Sequence, residues 1–142
     1  MSKKVLHVIN ISFVTSYFFG NQFKYLKAKT GNTYYVACSP SVEHLQLAAK
    51  YDYIPFEIPI TRSINPLIDI KSVFKLIKFI KQNNIDVVVG HTPKGGMIAM
   101  LAAFFTGVEQ RVYFRHGIVY ETSKGLKKFL LKNIERISGG LA

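Results

Sequence analysis

The chain has little of what builds a small secreted or metal-held protein. Of its 142 residues one is cysteine, Cys38, and none is tryptophan. A single cysteine excludes an intramolecular disulfide framework and agrees with a reducing compartment; Cys38, in a β-rich run, reads as an inert strand residue. Carboxylates are scarce: eight Asp and Glu stand against nineteen Lys and Arg, and the first 42 residues contain none. The four histidines, His7, His44, His91 and His116, form no i, i+4 pair with a carboxylate partner, which is the short-range spacing of a zinc helix, and no metal is expected. No run reaches the roughly 18 apolar residues that a membrane span requires. The start, Met1-Ser2-Lys3-Lys4 before an apolar run, is superficially like a secretory signal, but His7, Asn10, Ser12, Thr15 and Ser16 interrupt it, so the reading is cytoplasmic. Zinc spacings, a helix-turn-helix pattern and RNA-stacking motifs are all missing, so no nucleic acid is expected as a partner.

What is present is a chain that can bury a core. Apolar residues make up 49%, and the net charge of +11 favours anionic partners such as nucleotide phosphates or lipid headgroups. The order of elements follows from periodicity. Lys3 to Ile11 reads as a β-branched strand and Phe13 to Lys29 as a helix stopped at Gly31. Thr33 to Cys38 is a second strand, and Ser39-Pro40-Ser41 caps a helix from Val42 to Lys50. A short strand, Ile54 to Ile58, precedes a loop from Ile60 to Pro66. Asp69 to Gln82 is an amphipathic helix, with Ile70, Val73, Phe74, Ile77 and Ile80 expected inside and Lys71, Lys75, Lys78 and Lys81 outside. Asp86 to Gly90, Lys94 to Thr106, Gln110 to Arg115 and Lys124 to Ile137 continue as strand, helix, strand, helix. This alternation predicts a single α/β domain, a Rossmann-like parallel sheet with helices on both faces.

The motif with most chemistry is His91-Thr92-Pro93-Lys94-Gly95-Gly96, placed between a strand and a helix. Such a turn sets backbone N–H groups and the positive end of the helix dipole at the carboxyl edge of the sheet, where ligands of open α/β sheets sit. Gly95 and Gly96 would let a ligand approach the backbone, and Lys94, whose charge opposes the dipole, is expected to meet an anion. His91 either orders the turn through its ring nitrogens or touches substrate. A second strand-like run ends in Arg115-His116-Gly117, bringing another imidazole to the same edge. By itself His116 could cap its strand. His7 and His44 read as structural, and Glu135 as a surface residue beside an arginine on a helix.

In order, Gly90 to Gly96, Ala102-Ala103, Gly107-Val108, Arg111-Val112-Tyr113, His116-Gly117, Tyr120-Glu121, Gly125 and Ile134-Glu135-Arg136 resemble the amino-terminal domain of bacterial GT-B glycosyltransferases of family 4, makers of capsular and other surface polysaccharides. The resemblance implies the acceptor-side half of a two-domain enzyme that moves a sugar from a nucleotide-sugar donor to a glycan or lipid-linked acceptor with retained configuration. The donor-binding half would lie in a further domain, so this chain is expected to be the front portion of a longer protein and inactive alone. It implies a catalytic role for His116 and substrate contacts from His91, Thr92, Lys94, Gly95, Gly96, Arg115, Gly117, Tyr120 and Glu121. Ser12 and Ser16 would contact substrate from the loop after the first strand, which lacks the family's frequent Gly-Gly pair. No cofactor is implied, and such enzymes usually work without a metal. Two other classes remain open, a non-catalytic acceptor-binding subunit of a split transferase and a regulatory module that binds a nucleotide or other anion. The lysines of the third and last long helices either serve solubility or hold the protein at an anionic membrane surface, the inner face of the plasma membrane for such an enzyme.

Overall fold

The computed structural model describes residues 2–10, 20–114 and 124–142. Strands β1 (Lys4–Val8), β2 (Thr33–Cys38), β3 (Ile54–Glu57), β4 (Val87–His91) and β5 (Gln110–Phe114) form one sheet in the order β3-β2-β1-β4-β5. All pairs are parallel. Helices α1 (Gln22–Thr30), α2 (Val42–Tyr51), α3 (Pro66–Asn83), α4 (Pro93–Thr106) and α5 (Gly125–Leu141) alternate with the strands. The fold is the Rossmann-like α/β sheet that the alternation predicts. Its winding reverses between β1 and β4, and such a reversal opens a crevice at the carboxyl ends of the two strands.

The strands are apolar on both faces because both faces are covered. Val5, Ile9, Val36 and Val89 turn toward α1 and α2, where Phe23, Leu47 and Tyr51 meet them. Leu6, Val8, Ala37 and Val88 turn the other way, toward Leu76 and Ile80 of α3 and Ile98, Met100 and Ala102 of α4.

Two helices differ from expectation in instructive ways. Helix α3 starts at Pro66, ahead of the expected Asp69, because the Asn65 side chain accepts from the Ile68 N–H at 3.3 Å and proline suits the first helical position. Its inner face is also a different one: Asp69, Ser72, Leu76 and Ile80 are buried, whereas Ile70 and Phe74, expected inside, are 54% and 65% exposed. The apolar stripe is wider than the face the core can take. Asp69 and Ser72 fit inside because each has a partner, Lys94 for the carboxylate and the Pro59 carbonyl for the hydroxyl. Glu135 on α5 corrects a second expectation: it is buried and accepts a 2.7 Å hydrogen bond from the Tyr113 hydroxyl, so it is not a surface residue.

Candidate functional site

The turn from β4 to α4 lies at the reversal point of the sheet. Strand β4 runs one residue beyond the sequence reading and ends on His91 itself, paired in register with Phe114 at the end of β5. Thr92 caps α4, its hydroxyl accepting from the Gly95 N–H at 3.3 Å, while the Gly96 N–H reaches the Thr92 carbonyl at 2.8 Å. Pro93 carries no N–H. Much of the donor set of this helix N-terminus is therefore used within the turn.

Thr92 holds an unusual backbone conformation, φ 66° and ψ 158°. That region is nearly confined to glycine, and a β-branched residue there stores strain of roughly 1–3 kcal/mol. Strain of this kind clusters at binding and catalytic turns, and here it sits at the ligand edge of the sheet.

The two glycines have a packing role that the local sequence did not announce. A Cβ on Gly95 would come within 3.1 Å of the Val8 carbonyl oxygen, and one on Gly96 within 2.2 Å of the Tyr113 ring. Their missing side chains let α4 close against β1 and let Tyr113 lie over the helix. Lys94 likewise packs within the protein. Only 5% exposed, it donates to Asp69 Oδ2 at 2.5 Å and to the Ser63 carbonyl at 2.8 Å, so the anion it meets is internal.

His91 is 1% exposed, and its Nε2 lies 2.9 Å from Nδ1 of His7, the two rings stacked 5.2 Å apart. One nitrogen of this pair must donate and the other accept, which couples the two tautomers. Burial holds the His7 pKa down at about 3, so His7 stays neutral at physiological pH. His91 thus has a structural partner in His7 at the strand end. The His7 contact depends on β1 and β4 being neighbours, with His7 in register with Val89 two residues before His91, and no local pattern announces it. Its only signal was a polar residue inside an apolar strand.

His44 and Cys38 match their structural readings. Both are buried; burial lowers the His44 pKa and pushes the Cys38 thiol up to about 12. The expected site residues Ser12, Ser16, Arg115, His116, Gly117, Tyr120 and Glu121 lie outside the described residues. Among the described residues no three His, Cys, Asp or Glu side chains come together as a metal site.

A parallel sheet reversing between β1 and β4, with a strained capped turn at that point, defines a Rossmann-like domain of the kind that places ligands at its carboxyl edge. Residues 4–138 match the glycosyl transferase 4-like family, and the chain belongs to that family. It is 31% identical over 137 residues to the capsular polysaccharide biosynthesis glycosyltransferase CapM of Staphylococcus aureus, covering 96% of this chain and 35% of CapM. It is 29% identical over 85 residues to the UDP-Gal:alpha-D-GlcNAc-diphosphoundecaprenol alpha-1,3-galactosyltransferase of Escherichia coli, covering 60% of this chain and 21% of that enzyme. The chain thus spans about a third of the length of the first relative and a fifth of the second. Among solved structures, the UDP-GlcNAc 2-epimerase of Neisseria meningitidis bound to UDP-GlcNAc superposes with a TM-score of 0.64 at 17% identity, over 98% of this chain and 39% of that one. That likeness shows the fold alone.

Proposed function

We propose that this chain is the acceptor-side, amino-terminal half of a GT-B glycosyltransferase whose full-length form transfers a sugar from a nucleotide-sugar to a hydroxyl of a glycan or lipid-linked acceptor, with retention. The observation that carries this reading is the family match itself, which runs through β1, β4 and the strained β4–α4 turn and so spans the edge where the sheet's winding reverses. Two relatives point the same way: CapM by its printed role in capsular polysaccharide biosynthesis, and the galactosyltransferase by its diphosphoundecaprenol-linked acceptor. A second domain would supply the donor site, and the acceptor would enter from this half.

In this reading His116 donates a hydrogen bond to the donor sugar or to charge developing in the transition state, and Thr92 with Ser12, Ser16, Arg115, Gly117, Tyr120 and Glu121 lines the acceptor path. His91, Lys94, Gly95 and Gly96 contribute by holding the edge in shape. The deciding variant is His116→Ala in the full-length protein, with transfer from labelled nucleotide-sugar and thermal unfolding measured on one preparation. Turnover is expected to fall roughly 100- to 1000-fold with the melting temperature unchanged. Near-normal turnover, or a loss explained by unfolding, removes His116 from catalysis. Tight nucleotide binding by the chain on its own would favour a regulatory module, and a natural requirement for a separate donor-binding chain would favour the split-transferase subunit.

A further inference from the structure

Strand β1 carries a histidine one residue before its end, and β4 ends on another. The strands are parallel neighbours with His7 in register with Val89, so alternation puts both side chains on the α1–α2 face, His91 two residues nearer the carboxyl edge. The ring planes are 19° apart, and His7 Nδ1 meets His91 Nε2 at 2.9 Å. Phe23 stands at 66° to the His7 ring with centroids 5.2 Å apart, and Tyr34 tilts over it at 6.2 Å. Phe114 of β5 leans on the His91 ring at 5.7 Å. His7 therefore lies among aromatic rings inside the domain, and His91 at the strand end that leads into Thr92.

A 2.9 Å contact between two ring nitrogens holds one hydrogen, since with none the lone pairs repel and with two the N–H groups collide. Two neutral rings satisfy this in two ways. With the hydrogen on His7 Nδ1, His91 Nε2 accepts it and His91 carries its own hydrogen on Nδ1. With the hydrogen on His91 Nε2, His7 Nδ1 accepts it, His7 carries its own on Nε2, and His91 Nδ1 is a bare acceptor. The two rings are thus both Nδ1–H or both Nε2–H. The states offer opposite chemistry at His91 Nδ1, a donor in the first and an acceptor in the second. Burial holds the His7 pKa at about 3, which keeps that ring neutral and within this scheme at physiological pH.

We infer that His7 is a positioning residue of the ligand edge: across the β1–β4 contact it fixes the tautomer of His91, and so whether Nδ1 at the end of β4 donates to or accepts from the groups it meets there. Reversing the pair requires more than a shift between the rings. One hydrogen must leave His91 Nδ1 and another must reach His7 Nε2 among the aromatic side chains, and in a low-dielectric interior each polar group left unpaired on the way is costly. In this scheme His7 touches no substrate and acts through His91, whose carbonyl joins it to the strained Thr92. The inference rests on the proposed function for its purpose, because Thr92 lines the acceptor path there. The tautomers themselves are read without any transfer.

The full chain, with isotopically labelled histidine, is measured by long-range proton–nitrogen correlation at about pH 8, above the ordinary imidazole pKa. The spectrum separates Nδ1–H from Nε2–H rings, and single substitutions assign the signals. His7 and His91 should each show one tautomer, the same for both. Unlike tautomers, or a mixture in either ring, overturn the proposal. His7→Phe should leave His91 a tautomer mixture. His7→Asn sets an amide where Nδ1 stood, able to donate or to accept, so it should keep the contact, lose the lock and give the same reading if the phenylalanine variant does not fold. In the full-length protein both variants should raise the acceptor KM by roughly three- to tenfold with kcat changed less, as expected for one neutral hydrogen bond made alike in the ground and transition states. His44→Leu, which removes another buried imidazole, should lower the melting temperature and leave KM alone. Like tautomers with KM unchanged in both His7 variants would make His7 a core residue only and overturn its positioning role. Absence of transfer by the parent protein, with the tautomers locked alike, would count against the transferase reading and leave the lock standing.

Discussion

On the α1–α2 face the sheet buries Phe23, Tyr34, Tyr51 and Tyr53 with the imidazoles of His7, His44 and His91, whereas the α3–α5 face, whose core is mainly aliphatic, buries the pairs Lys94–Asp69 and Tyr113–Glu135. The first face hides groups that burial keeps neutral: His7 and His44 both have lowered pKa values, so they enter the core without a counter-charge. The second face hides an ion pair and leaves its other cations outside. The two solutions fail differently. A neutral imidazole is disturbed by acid, and an ion pair by the loss of one partner.

The largest effect should come from the ion pair. Asp69→Ala leaves the Lys94 ammonium buried with the Ser63 carbonyl as its one remaining acceptor among the described residues, and breaking a buried pair in this way costs about 3–5 kcal/mol. Replacing both residues, Asp69→Leu with Lys94→Met, removes charge and partner together and should be close to neutral. Urea unfolding of the two variants checks this. If the single substitution costs no more than the double, the pair does not anchor α3 to α4.

The histidine face predicts a pH dependence. The His7 pKa is about 3 in the folded state and 6.5 in the unfolded chain, so between these values the unfolded state binds the extra proton. Stability is complete above pH 6.5 and declines as pH falls toward 3, by up to about 1.4 kcal/mol per pH unit for this one proton. His44 adds to the slope in the same direction. His7→Phe, suited to a site bordered by Phe23 and Tyr34, should flatten the dependence measured by urea unfolding across that window. An unchanged slope would mean that His7 is not the group being protonated.

The comparison also marks what could be read in advance. The strand and helix order was legible because it rests on local periodicity, and Ser41 was legible as a cap because the residues after it are helical; its hydroxyl accepts from the His44 N–H at 3.0 Å. The phase of α3 was not, since a hydropathy pattern ranks Ile70 and Phe74 as core and cannot see that Lys94 waits to receive Asp69. The β4–α4 turn was legible as a special place, but the packing of its glycines against β1 and Tyr113 was not. His7 with His91 and Tyr113 with Glu135 are contacts set by register and by helix docking across the chain, and local spacing carries no trace of them.

Thr92 joins the two faces at the end of β4, and its substitution should give the smallest and most discriminating effect. Thr92→Ala loses the hydroxyl that accepts from Gly95 and keeps a Cβ at positive φ, so it should destabilise by about 0.5–2 kcal/mol, the usual cost of losing a cap. Thr92→Gly loses the same hydroxyl but adopts φ 66° and ψ 158° without steric conflict. Relief of roughly 1–3 kcal/mol of strain then stands against about 0.5–1 kcal/mol for the greater freedom of glycine in the unfolded chain and a few tenths for the cap. The net change should lie within about 1 kcal/mol of zero or on the stabilising side. A turn strained for function should show the opposite order in transfer by the full-length enzyme, with Thr92→Gly losing turnover although it is no less stable. If glycine proves as destabilising as alanine, the hydroxyl outweighs the backbone strain and Thr92 is only a cap.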